Sequence, residues 1–241
     1  AQGTLDLFEN EWSSQVPVPG TCTGHADLFH DARIDWLVEQ DAQYADKTAL
    51  ELGPLEAGHT FMLEAHNYQV TAVEANSRAY LKCLIVKELL GLNSHFLFGD
   101  FNEYLKTCPP AGLIVASGVL YHMTNPVEMI SLLAEHCEKH LLFWTHHYDA
   151  VWAKTPAGQE HLTSAESVEY AGFRCTLHRY EYNNALDWGG CCGGPRPHCY
   201  WIEREELLAC LRFFGFPQIR IGCDDPNHPH GPAFALVASR A

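Results

Sequence analysis

Apolar residues along this chain come in two alternating rhythms. Short apolar-rich runs at 49–52, 69–73, 95–98, 113–116 and 139–144 are separated by segments with helical spacing. A run such as Leu113, Ile114, Val115, Ala116 has no polar face, as expected for a parallel strand covered on both sides. Between the runs, SRAYLKCLIVKELLG puts Leu81, Leu84, Ile85 and Leu89 on one predicted helix face, with Asn76 or Ser77 as cap and Gly91 as stop. Asn125, Pro126 and Glu128 begin another helix, with Pro at its first position and an acid in its first turn. Strand and helix alternate five times, which predicts an α/β domain built on a doubly wound, mostly parallel sheet.

Either side of this core the rhythm changes. Residues 1–47 form a leader in which DARIDWLVE sets Ile34, Leu37 and Val38 on one helical face, after a turn-rich stretch suited to a flap or to packing on the sheet edge. Residues 146–200 lose the alternation; only FRCTLHRYEY reads as a strand, and the segment is expected to roof the ligand cleft as an insertion. Regularity returns with a helix at 203–214, carrying Leu207, Leu208, Leu211 and Phe214, and with strands at 218–221 and 233–239 that form a C-terminal antiparallel hairpin. The expected sheet therefore has seven strands, in one domain spanning 48–241.

Composition narrows the function classes. The chain has 241 residues, 47% of them hydrophobic and 19% charged, the profile of a globular protein rather than a disordered or coiled-coil one. A net charge of −15 repels phosphate backbones, so nucleic acid is disfavoured as a partner and a small-molecule substrate preferred. No apolar run approaches the roughly 18 residues of a membrane span, and the first residues lack a signal-peptide pattern, so a cytoplasmic location is expected. Ten cysteines scattered through predicted core elements read as reduced thiols.

Candidate chemistry concentrates in TALELGPLEAGHTFMLEAHNYQVTAVEAN (48–76), a strand, a glycine-bearing turn, a short helix and a second strand ending in Glu74. Gly53 permits a tight turn, the helix offers free N–H groups, and an acid about twenty residues on can grip a ribose diol. GPLEAGHT has His59 where a P-loop needs lysine, and Leu55 where a dinucleotide loop needs its second glycine. What remains is a nucleoside without phosphates and with positive charge, which the acids Glu51 and Glu56 would favour.

Together with the later strand ends, these residues resemble a class I S-adenosylmethionine-dependent methyltransferase of Rossmann-like fold over roughly 48–148. ELGPLEAG is similar to that family's first motif, and ASGVLYHM to its fourth. The resemblance implies S-adenosylmethionine as cofactor, with Glu51 supporting the loop and the methionine amino group, Gly53, Pro54 and Gly58 lining it, and Glu74 with Ala75 holding the ribose. It places Asp100 and Phe101 at the adenine, and Ser117, Gly118 and Tyr121 along the cofactor. GVLYHMTNPVEMI is most similar to the wobble-uridine tRNA methyltransferase-like branch, where a basic residue often follows the histidine; here it is Met123.

Methyl transfer from a sulfonium is an in-line substitution, so a protein chiefly aligns the acceptor and, for a hydroxyl, removes its proton. His122 is the first candidate base, with His146 and His147 beyond the fifth strand as further candidates. O-methylation of a small molecule is the expected reaction; an RNA methyltransferase and a cofactor-binding module without turnover are the alternatives. Cys191, Cys192, His198, Cys199, His228 and His230 lack the spacing of a zinc site, so no metal is expected.

Overall fold

The computed structural model describes residues 1–40, 47–183 and 196–240. Five parallel strands, β1 (Thr48–Leu52), β2 (Gln69–Glu74), β3 (His95–Phe98), β4 (Ala111–Ser117) and β5 (Cys137–His146), join β9 (Gln218–Asp225) and β10 (Ala233–Ser239) in one sheet. Its order is β3-β2-β1-β4-β5-β10-β9, with β10 antiparallel to both neighbours. The order reverses between β1 and β4, and such a switch point opens a crevice beyond the strand ends. The expected doubly wound, seven-stranded sheet with its terminal hairpin is what the chain forms.

One sheet face is covered by α5 (Phe101–Leu105), α6 (Pro126–His136) and α8 (Arg204–Phe213), with Ile114, Leu133, Phe143, Leu211, Phe216 and Phe234 in the core between. The other carries α3 (Gly58–Ala65), α4 (Ser77–Leu90) and the leader, including α1 (Gln2–Leu5) and α2 (Ala32–Gln40). The leader is a structural layer: Leu5, Phe29, Ile34 and Leu37 share a core with Leu63, Val70, Leu113 and Leu142. Trp36 lies against Gly222 of β9, where an added Cβ would come within 2.5 Å of the indole.

Two expectations are corrected. Helix α4 buries Ala79, Lys82, Cys83 and Val86 and leaves Leu81 and Leu84 49% and 37% exposed. The apolar count missed that Lys82 would be drawn inward: its Nζ pairs with the buried Glu56 carboxylate at 2.6 Å and donates to the Glu11 carbonyl. The roof is more regular than expected. After α7 (Pro156–His161), strands β6 (Leu162–Tyr170), β7 (Phe173–Glu181) and β8 (His198–Ile202) form a separate antiparallel sheet, whose polar edge strand β6 is exposed along most of its length and so has no apolar rhythm to read. The insertion closes at its base, where the Tyr148 N–H donates to the Ile202 carbonyl at 2.9 Å.

Candidate active site

At the end of β1 the turn makes its glycine-type path largely without glycines. Gly53 has φ +67, but Leu55 and Ala57 are also left-handed, at φ 54 and 62, a conformation that costs an L-residue roughly 1–2 kcal/mol. Hydrogen bonds hold it there: the Leu55 N–H donates to Glu74 at 3.1 Å, and those of Glu56 and Ala57 fold back on the Pro54 carbonyl. A Cβ on Gly53 would meet Val119 at 2.7 Å and Phe101 at 3.7 Å. The loops after β1, β3 and β4 therefore converge on one backbone atom, and only glycine fits there.

The acids around this turn divide by role. Glu74 is buried, accepts from Leu55 and Asn76, and follows Val73, whose carbonyl holds the Gly53 N–H. Burial pushes its carboxyl up, against the backbone hydrogen bonds that favour the ion. Glu51 is 1% exposed; Thr60 donates to its Oε2, while its Oε1 has no partner among the described residues. Burial raises its carboxyl too, partly offset by His59 and Thr60. Such an orphaned acceptor is costly unless a donor meets it, and an ammonium group would. Glu56 does not join them: fully buried, it accepts from the Ser13 and Ser14 N–H groups and pairs with Lys82, locking the leader to the turn. Its expected contribution to a cationic ligand is thus neutralised.

Gly58, expected beside the cofactor, answers to the leader: a Cβ there would lie 2.4 Å from the Leu28 carbonyl oxygen. Ala75 links Glu74 to the cap of α4, and Asp100 caps α5 through the Glu103 N–H at 3.1 Å, with Phe101 half-buried beside it. Gly118, at φ +82, lets Ser117 leave β4 while its N–H reaches the Trp144 carbonyl. The short helical turn that follows (Leu120–His122) presents Tyr121 and His122.

Those two side chains enter a second cluster, made of rings. Tyr121 stands edge-on to Trp144 and His146, and the His146 ring lies parallel to Trp201 at 5.2 Å, 10° apart. His228 of the β9–β10 connection completes it, 5.0 Å from His146. His146 Nδ1 lies 2.8 Å from the Gly231 carbonyl; a carbonyl only accepts, so Nδ1 carries the proton and Nε2 keeps its lone pair. Gly231 also has φ +110, and a Cβ on it would strike Trp201 at 2.7 Å, so the roof, the terminal hairpin and β5 clamp one imidazole. Burial pulls His146 down to about 4, with His228 adding to the effect. His122 is held by the Tyr182 hydroxyl at 2.5 Å and falls to about 3, through burial and then His146. Both rings are neutral near pH 7.

His147 does not belong with them. Strand alternation turns it to the opposite side, where Nδ1 donates to the Tyr148 carbonyl and the ring meets Phe234 edge-on. Nothing in its local sequence separates it from His146. The sequence also gave no signal for Trp144, Arg33 or Asp31: Arg33 lies over the Trp144 ring at 5.1 Å, and Asp31 joins it to His59. Among the described residues no group of three or more His, Cys, Asp or Glu is arranged to hold a metal, and no helix is long and apolar enough to cross a membrane. Cys191, Cys192 and part of the roof lie outside the described residues.

No family model and no curated protein matches the sequence. Solved structures do share its fold. The N-terminal domain of EvdMO1, solved in the presence of SAH and D-fucose, aligns with TM-score 0.72 at 18% identity over 100% of this chain and 94% of that one. In full-length EvdMO1 the chain spans 46% of the length, so it matches about half of that protein. Magnesium protoporphyrin IX methyltransferase from Synechocystis PCC 6803, with bound SAM, aligns at 0.56 and 13% identity over 88% and 77%. An S-adenosylmethionine-dependent methyltransferase from Clostridium acetobutylicum ATCC 824 aligns at 0.56 and 10% over 86% and 90%. The chain thus has a class I methyltransferase fold.

Proposed function

We propose that this chain is an S-adenosylmethionine-dependent methyltransferase acting on a hydroxyl of a small molecule. The observation that carries the reading is the convergence at Gly53, where the loops after three strands leave no room for a Cβ against Val119, two residues from a buried Glu51 whose Oε1 has no partner among the described residues. Those residues fit the cofactor: Glu51 its ammonium, Glu74 its ribose hydroxyls, Asp100 and Phe101 its adenine. Bound there, S-adenosylmethionine supplies a methyl group activated by a positive sulfur.

The ring cluster supplies the other half. His146, rather than His122, is the proposed base, because the Gly231 carbonyl fixes its tautomer and leaves Nε2 with its lone pair. His122 is tied to Tyr182 and helps align the acceptor. Neutral at pH 7, the His146 ring can accept the hydroxyl proton; at about 4 it is a weak base, so the proton would move as the methyl transfers rather than before it. The aromatic walls, Trp144 and Tyr121, exclude water from the reacting hydroxyl. A sugar hydroxyl is the first acceptor to try, because one of the structures matched over all of this chain was solved in the presence of SAH and D-fucose.

Calorimetry with S-adenosylhomocysteine, followed by transfer of labelled methyl from S-adenosylmethionine to a panel of sugars and phenols, tests the proposal. Saturable binding and label in a hydroxylated acceptor are expected. Tight binding without transfer to any acceptor would instead favour a cofactor-binding module.

A further inference from the structure

We infer that Arg33, in the leader, binds the carboxylate at the amino-acid end of the cofactor; the inference rests on the methyltransferase reading above. Arg33 is held more firmly than a surface arginine. Its Nε donates to Asp31 at 2.9 Å, its Nη2 pairs with the same carboxylate, and its guanidinium covers one face of Trp144 at 5.1 Å. Asp31 is itself fixed from the other side by His59 Nε2 at 2.9 Å. Burial opposes the ionisation of Asp31, yet the hydrogen bonds from His59 and Arg33 hold it well below the usual carboxylate range, so the carboxylate is permanent. A guanidinium has five N–H donors in a rigid fork. Asp31 occupies the Nε–Nη2 edge, and no acceptor among the described residues meets Nη1. The Arg33 side chain stays 22% exposed, and the Trp144 ring it covers packs edge-on to Tyr121 and His146.

Its position selects the ligand group. On one side, His59 precedes Thr60, whose hydroxyl donates to Glu51, and the free oxygen of Glu51 calls for a cation. On the other, Trp144 stands edge-on to Tyr121 and His146. An acceptor for an ammonium and a donor fork for a carboxylate, joined through Thr60, His59 and Asp31, together describe a site for an α-amino acid zwitterion. The nucleoside end needs no guanidinium.

The test compares two ligands on the intact chain by calorimetry. S-adenosylhomocysteine carries the amino-acid end, and 5′-methylthioadenosine keeps the nucleoside and thioether without it. Arg33→Gln is expected to weaken S-adenosylhomocysteine about tenfold or more while leaving 5′-methylthioadenosine within about twofold. Arg33→Lys, which keeps the charge but loses the fork, should show a smaller loss with the same selectivity, and stands in if Arg33→Gln does not fold. Unchanged S-adenosylhomocysteine affinity in both variants, or equal loss for both ligands, overturns the assignment. Failure of the unmodified chain to bind either ligand would sink the methyltransferase reading itself, and the inference with it.

Discussion

The two halves of the cleft handle buried polarity in opposite ways. Around the β1 turn, carboxylates are buried and met by backbone N–H groups, a hydroxyl or a lysine, and the strain sits in left-handed Leu55 and Ala57. At the ends of β4 and β5 the polar groups are imidazoles: His146 stacks on Trp201 and is tied to a carbonyl, and His122 is tied to the Tyr182 phenol. One half gathers acids that burial pushes toward the neutral form and that a nearby cation would restore to the ionised one; the other holds neutral imidazoles. That asymmetry suits the transfer proposed above, from a cationic donor to a neutral hydroxyl.

The strongest way to break the contrast is through Glu56. Glu56→Gln leaves Lys82 buried without its counter-charge, and removing one partner of a buried pair costs about 3–5 kcal/mol. Thermal unfolding should show a drop of many degrees; a shift within error would mean that the leader does not depend on this contact. Next in size is the base. His146→Gln is expected to lower the methyl-transfer rate by about 10²–10⁴, and His122→Gln by clearly less, measured under single-turnover conditions. The reverse ranking would return the role to His122. On the cofactor side, Glu74→Ala should weaken S-adenosylhomocysteine by roughly 10–100-fold, as for lost hydrogen bonds to a charged group; equal affinity by calorimetry would remove the ribose assignment.

The smallest expected effect sharpens the comparison through pH. His146 and His122 titrate at about 4 and about 3 when folded, below the ordinary 6.5. Below pH 6.5 the unfolded chain binds protons that the folded one refuses, so this part of the stability is complete above 6.5 and is lost as pH falls toward 3. Glu51 and Glu74 act with the opposite sign: their raised folded values mean stability lost as pH rises above the ordinary 4.5. Denaturant melts of the double variant His122→Gln/His146→Gln should show a flatter acid limb between pH 6.5 and 4, and an unchanged slope would contradict the buried neutral rings.

Local sequence carried the sheet and the glycine turn because those depend on near neighbours. Apolar runs dictate parallel strands, and Gly53 sits in the left-handed conformation that glycine adopts without cost. The same logic failed at Leu55 and Ala57, where side chains occupy glycine-like backbone and a contact from Glu74, nineteen residues away, holds Leu55 in place. It failed again in α4, whose buried face is set by a partner for Lys82 that lies on another element.

What the sequence determined by itself, then, is the alternation of strands and helices, the turn after β1 and the acids that flank it, because each is fixed within a few residues or by the pitch of one element. The tertiary structure decided which histidine enters the ring cluster and which tautomer it holds: His146 and His147 are adjacent, and the Gly231 carbonyl and the Trp201 ring, more than fifty residues away in the chain, meet only the first. It also decided that the leader meets the loops around the β1 turn and the ring cluster, since Asp31 and Arg33 reach His59 and Trp144 only once the chain has folded back across the sheet.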